Sequence, residues 1–418
     1  MRPTDAGPGL LALQLGRQRA CSALFRLVPA RIPRSRCDTD GYANDLYAPD
    51  APDDWVDLPD FLSFDRARIT ALLMCVAAGA LCAQAGTPIP WMIGPLFAMA
   101  LAKWRGVQVD SPTGFRGGGQ LLIGTALGLY FTPDMLLVVA RFLPWMVAAG
   151  LFAIVMAAVC ARLLTRLAKP IQLDAATAFF ACVPGGASEM ANLAARHKGR
   201  QDLVAVAQSL RILVIVATIP FLYAYAGIHG VDAYAPGAKV VDAQGLVQLL
   251  ALAMAGAWAA WRVGVPNGFA LGSLLVTIVL TGSGTLWSAM PVWLVNFGQL
   301  MIGCSLGARF EQDFFRSAPR FLWAAAASTL LALLLSSSFA IGMGWAAGVH
   351  WSTAILALAP GGMPEMSITA KVLQLGVPIV VAFHVTRMAL LVTLSWPAYR
   401  LILRAMARAT ALKRARTH

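Results

Sequence analysis

Twelve apolar stretches, joined by short connections that carry most of the charge, leave this chain almost no way to fold in water. With soft boundaries they run 69–85, 89–104, 117–131, 135–164, 174–197, 203–227, 245–262, 267–281, 292–308, 319–348, 351–374 and 377–399. Hydrophobic residues make up 58% of the 418 and charged residues only 13%, with mean hydropathy +0.67. A soluble protein holds about 25% charged residues. A helix needs about 20 predominantly apolar residues to cross the hydrocarbon core, so the sequence predicts an all-α polytopic membrane protein. The net charge of +13 sits mostly in the first residues, in the connections and after Arg400, where the positive-inside rule places Lys and Arg. It does not resemble a base-reading helix, and no direct nucleic-acid binding is expected.

Two of the stretches are interrupted by the same motif. VPGGASEM (183–190) recurs as APGGMPEM (359–366). A Pro-Gly-Gly at membrane depth frees backbone groups that something else must satisfy, and an intramembrane Glu is costly. Pro184, Gly185, Gly186 and Pro360, Gly361, Gly362 are therefore expected helix breaks.

The recurrence extends further. Gly119-Gln120-Leu121-Leu122-Ile123-Gly124 reappears as Gly298-Gln299-Leu300-Met301-Ile302-Gly303, 179 residues on. Glu189 and Glu365, and likewise Arg211 and Arg387, are 176 apart, with 22 residues from Glu to Arg in each half. A duplicated unit of about 160 residues is the expectation, with repeats over 66–227 and 245–405 and a basic tail over 406–418.

Loop charge bears on the topology. If the two PGG segments are re-entrant, each unit has five spans and the second is inverted. The basic connections then share one side, and only Lys371 is misplaced. The expectation is about ten transmembrane helices plus two re-entrant or broken segments, in the inner (plasma) membrane with both termini cytoplasmic. Crossing, unwound segments remain the alternative.

The repeated polar residues are the candidate site. Glu189 and Glu365 fall in the first turn of any helix that restarts after the glycines. There a carboxylate either caps its own helix or acts as a proton- or cation-responsive group near the midplane. Arg211 and Arg387 lie too deep to snorkel. Each is expected to pair with one of those carboxylates, or to hold an anionic group of a substrate. Gln120 and Gln299 begin glycine-spaced helices whose default role is close packing, with lining of a polar path as the lesser reading. His384, equivalent to Gln208, is read first as a hydrogen-bonded interior residue and second as a proton relay. Asn192, Asn267 and Asn296 are further polar candidates.

No cofactor or metal is expected. Seven cysteines (Cys21, Cys37, Cys75, Cys82, Cys160, Cys182, Cys304) and five scattered histidines show no ligand spacing, and no nucleotide-binding signature is present. Residues 1–36 carry seven Arg and one acid, and 38–60 carry eight Asp with three Pro. Residues 1–62 are expected to be a disordered extension, and an overlong gene start is a competing account.

PIPWMIGPL (88–96), GQLLIGTALG (119–128), GQLMIGCSLG (298–307) and the two PGGxxEM copies together resemble the membrane AbrB family, which is defined by an internal duplication; the resemblance covers about residues 66–405. It implies a name, regulator of gene expression, and another, ammonia monooxygenase. The residues lend the second no support, since clustered copper or iron ligands are missing. The residues point to a gradient-driven secondary transporter of a small solute, anionic if the arginines bind it. A membrane-bound sensor or regulator acting indirectly is the alternative, and an enzyme is not expected. The bilayer and an unidentified solute or ion are the expected partners, and the glycine-rich faces offer a homodimer surface.

Overall fold

The computed structural model describes residues 65–416 apart from 170, 231–235, 239 and 311–318, with side chains placed as far as Arg404. The extension 1–62, and with it the expectation of disorder, lies outside the described residues.

Fifteen helices and no strand occur among the described residues: α1 Arg66–Gln84, α2 Pro90–Trp104, α3 Phe115–Gly128, α4 Pro133–Arg141, α5 Leu143–Leu167, α6 Ala175–Cys182, α7 Ala187–Arg196, α8 Gln201–Tyr225, α9 Ala243–Arg262, α10 Gly268–Gly282, α11 Val292–Gly307, α12 Pro319–Ala347, α13 Trp351–Leu358, α14 Met363–Val372 and α15 Val377–Arg416.

Local chemistry sets many of the boundaries. Asp174 accepts a hydrogen bond from the backbone N–H of Thr177 at 2.7 Å, and Asp242 accepts one from Gly245 at 2.6 Å, capping α6 and α9. Pro133 opens α4 at its first helical position, where a missing N–H costs nothing. The chain between α3 and α4 turns by 94°. Gln120 and Gln299 lie within α3 and α11 rather than at their starts, because α3 begins at Phe115 and α11 at Val292. The basic residues after Arg400 continue α15 to Arg416.

Among the described residues six helices are long and apolar enough to cross a membrane: α1, α5, α8, α9, α12 and α15 as far as Arg404. The number is up to seven if the bent pair α3–α4 is one span. Helices α2, α3, α10 and α11, with 15, 14, 15 and 16 residues, reach only about 21–24 Å at 1.5 Å per residue. That is less than the ~30 Å core, so length alone does not count them among the ten expected spans. Large apolar side chains on the long helices stay exposed, including Leu73, Leu81, Val155, Trp258 and Trp345. Apolar surface of this extent suits lipid contact rather than water.

The short helices form a row. Helix α1 packs on α2, α2 on α11, α11 on α3, α3 on α10, and α10 on α9. Glycines allow that closeness. A Cβ on Gly119 would sit 2.7 Å from the Gly298 carbonyl oxygen, where α3 and α11 cross. Gly303 and Gly307 press on the backbone carbonyls of Met92 and Leu96 in α2, as Gly124 and Gly128 press on those of Ala270 and Leu274 in α10. The other helices pack around α5 and α12, which touch each other. Helix α5 also meets α6 and α15, and α12 also meets α13 and α8.

Gly303→Ala should therefore destabilise the protein by about 1–3 kcal/mol through overpacking. Gly342→Ala, where a Cβ would meet nothing within 4 Å, should be neutral or stabilising by up to about 1 kcal/mol. Thermal unfolding in detergent separates the two, and equal melting shifts would refute this account of the glycines.

Candidate functional site

Both interrupted stretches are broken helices. Helix α6 ends at Cys182 and α13 at Leu358, and Val183 and Ala359 leave helical geometry with ψ of 125° and 134°. Each precedes a proline, whose ring disfavours the α conformation in the residue before it. The chain restarts as α7 and α14 with Gly186 and Gly362 at the N-caps.

Neither glycine is there for backbone freedom. Their φ angles are −65° and −76°, open to any residue. They are required for space. A Cβ on Gly186 would collide with Glu189 Oε2, and one on Gly362 with Glu365 Oε2. A Cβ on Gly185 would lie 2.7 Å from Met190 Cε, and one on Gly361 would lie 3.0 Å from Met366 Cγ. The motif PGGxxEM is thus a packing unit. The acid folds back over the second glycine and the methionine covers the first. The acid lies in the first turn, where the helix dipole favours negative charge.

The broken ends leave carbonyls without helical partners, and the long helices α8 and α15 supply the donors. Gln208 Nε2 donates to the carbonyls of Phe180 and Val183, both at 2.8 Å. Arg211 donates to those of Val183 at 2.9 Å and Gly185 at 3.2 Å. In the second copy His384 Nε2 meets the Leu356 carbonyl at 3.0 Å. Arg387 donates to the carbonyls of Ala359 at 2.6 Å and Gly361 at 2.8 Å, and to His384 Nδ1 at 2.9 Å. A guanidinium can only donate, so Nδ1 is the acceptor and the ring proton sits on Nε2. Both nitrogens of His384 are thereby committed, as an interior hydrogen-bonded histidine requires.

The expected Arg–carboxylate pairs do not form. Among the described residues neither Arg211 nor Arg387 makes an ion pair; orphan carbonyls at a helix C-terminus are the stronger local demand and favour a cation on their own. Glu365 is buried, and its Oε2 has no hydrogen-bond partner among the described residues.

Between the two breaks lies a cavity of about 90 Å³. It brings together Pro184, Gly185, Gly186, Gly361, Gly362, Arg211, Arg387, His384, Glu365 and Gln120, residues from both halves of the chain. Pro360, Gln299 and Glu189 do not line it. Gln299 is buried elsewhere in α11, and Glu189 lines a wider, more open recess of about 600 Å³ next to the cavity.

Sequence reasoning did not single out Arg116, Ser305 or Arg309, and gave Asn267 little weight. All four, with Gln120, line both the cavity and the recess. The side-chain oxygen of Asn267 accepts from Gln120 at 3.3 Å and from Arg116 at 3.5 Å. Their signal in the sequence was position, since Arg116 immediately precedes Gly117-Gly118-Gly119 and Arg309 lies two residues past Gly307. Among the described residues the cavity lining carries four arginines and one carboxylate.

Fold and site together define an all-helical protein with the helix lengths and hydropathy of a multi-pass membrane protein, built around two broken helices. The chain belongs to the AbrB family: the family model described as "Transition state regulatory protein AbrB" matches residues 91–403. It is 26% identical over 358 residues to "Uncharacterized protein YhjN" of Bacillus subtilis (strain 168), covering 79% of this chain and 92% of that protein. It is 24% identical over 305 residues to "Putative regulator AbrB" of Escherichia coli (strain K12), covering 72% and 86%.

Two mutational outcomes follow from the packing. Gly362→Ala should lower the unfolding temperature, and combining it with Glu365→Ala should recover part of the loss, a coupling that a double-mutant cycle measures. Additive effects would mean that the glycine does not make room for the acid. Arg387→Met should cost about 1–3 kcal/mol for each buried carbonyl it strands, and Arg387→Lys less. A neutral Arg387→Met would remove the capping role.

Proposed function

We propose that the cavity is the substrate and coupling-ion site of a gradient-driven secondary transporter for a small anionic solute. The observation that carries this reading is the enclosed space between two broken helices, lined by residues from both halves of the chain and dominated by arginine. Paired discontinuous helices near the midplane are how many secondary transporters build their sites. The first turns of α7 and α14 present backbone N–H groups, and guanidinium groups suit carboxylate or phosphate oxygens. Glu365 is the candidate for coupling to protons or Na⁺, because it is the one carboxylate among the described residues of the cavity lining.

In this reading the two halves are inverted repeats. The matched glycine contacts of α3 with α10 and of α11 with α2 support that relation. The short helices α2, α10 and α11 then cross with the six long ones and the bent pair, giving ten spans and two broken segments. The connections bearing Arg116, Arg196, Arg262 and Arg309 face the cytoplasm with both termini.

A second reading, a membrane-bound regulator that moves no solute, is favoured by the names of the family model and of the E. coli relative. Such a role would act indirectly, through what the cavity binds or through the tail after Arg400.

The test begins with a thermal-shift screen of purified protein against small carboxylates and oxyanions at two pH values. Uptake of any hit into proteoliposomes under an imposed proton or Na⁺ gradient follows. Wild type should accumulate the solute, and Glu365→Gln should lose the dependence on the gradient. An active wild type with an unaltered Glu365→Gln variant would refute the coupling assignment. A ligand that binds without uptake would favour the regulator.

A further inference from the structure

We propose that Arg116 and Arg309 form an anion-selective neck through which the cavity exchanges its ligand with one face of the membrane only. The inference rests on the inverted-repeat reading above and adds to it residues that set charge specificity and a direction of access.

Five residues line both the small cavity and the wide recess: Arg116, Gln120, Asn267, Ser305 and Arg309. Residues that line two adjoining spaces stand between them, so a passage joining the two would run past these five. All five are half-buried, and two carry a full positive charge. A cationic constriction with low-dielectric walls focuses the field and concentrates anions there. The wide recess holds a carboxylate, Glu189, and among the described residues the five that line both spaces include none. Small anions bearing carboxylate or oxyanion groups fit this lining, and cations are repelled.

The other half of the chain contains the same five positions. Aligning Gly119-Gln120 on Gly298-Gln299 sets Arg116 against Val295, Gln120 against Gln299, Ser305 against Ala126 and Arg309 against Tyr130. Asn267 matches Ile89. Each follows a proline, takes left-handed geometry at φ 49° and opens its helix, α10 or α2. In inverted repeats these counterparts form the corresponding place toward the opposite face. Four of them are aliphatic or aromatic and all five are buried: Ile89 0%, Ala126 4%, Tyr130 7%, Val295 4% and Gln299 5% exposed. Polarity has been placed in one half and removed from the other. A path that opened toward the second face would have to part packed apolar side chains and would lack the two charges.

The test uses charged thiol reagents, 2-sulfonatoethyl methanethiosulfonate (anionic) and 2-(trimethylammonium)ethyl methanethiosulfonate (cationic), on full-length Ser305→Cys. The parent chain serves as the labelling blank. Applied to inside-out vesicles, the anionic reagent should react about tenfold faster than the cationic one, and neither should react in right-side-out vesicles. Adding Arg116→Gln and Arg309→Gln should bring the ratio near one, while Arg116→Lys with Arg309→Lys should keep it, which separates charge from misfolding. Ala126→Cys, the counterpart position, should stay unlabelled from either face. Equal rates for the two reagents at Ser305→Cys, or ready labelling of Ala126→Cys, would overturn the proposal. Labelling reads access and charge without net flux, so a chain that moves no solute yet passes loses the transport reading and keeps the neck.

Discussion

Everything at the centre of this molecule depends on how a broken helix in an apolar interior satisfies its last carbonyl groups. Water cannot do it there, and an unsatisfied carbonyl in hydrocarbon costs several kcal/mol. The chain answers with a side chain from a neighbouring long helix, Arg211 for α6 and Arg387 for α13, each reaching across to two or more carbonyls. Gln208 and His384, three residues earlier on the same helices, bind carbonyls one turn deeper. The break, the long helix and the guanidinium therefore form one unit. Without the arginine the break is untenable, and without the break the arginine is a stranded charge. The cavity exists because two such units face each other and hold four helix ends apart.

The breaks were legible in the sequence almost to the residue. Stretches expected over 174–197 and 351–374 appear as α6–α7 from Ala175 to Arg196 and α13–α14 from Trp351 to Val372. The cause is largely local: a proline disfavours helical geometry in the residue before it, and here two glycines follow, whereas the lone Pro95, Pro220 and Pro397 stay inside their helices. The partners of the arginines were not legible. A carboxylate in the sequence is a visible counter-charge, whereas an orphan carbonyl appears only once α8 lies against α6 and α15 against α13. Arg116 and Arg309 were hidden for another reason. A cation at the end of an apolar run has a sufficient explanation in membrane topology, and nothing in the linear order says that it also overlooks a cavity. The short helices were legible nearly to the residue, since the stretches expected over 89–104, 117–131, 267–281 and 292–308 appear as α2, α3, α10 and α11; the row in which they pack was not, because it depends on contacts between helices far apart in the chain.

The two PGGxxEM copies also change meaning once the angles are known. Glycine pairs invite an explanation by flexibility, yet Gly186 and Gly362 hold φ values that alanine would accept. Their missing side chains make room for Glu189 and Glu365, as those of Gly185 and Gly361 make room for Met190 and Met366. The copies have diverged in surroundings while keeping this interlock. Glu365 is sealed at the cavity and Glu189 borders the open recess, so the same packing unit carries a carboxylate in two degrees of contact with water.

The wide recess has an electrical consequence. A water-filled recess conducts, so the potential inside it stays near that of the solution it opens to. In the inverted-repeat reading proposed above, the buried Ile89, Ala126, Tyr130 and Val295 stand toward the opposite face, and almost the whole transmembrane voltage would fall across that apolar wall. Short helices of about 21–24 Å make the wall thinner still and the local field stronger. An anion carried as proposed would have done almost none of its electrical work on reaching the cavity, and the final step past the wall would carry nearly all of it, about 2.3 kcal/mol per charge at 100 mV. In such a molecule the membrane potential would act on one step and leave the other to diffusion.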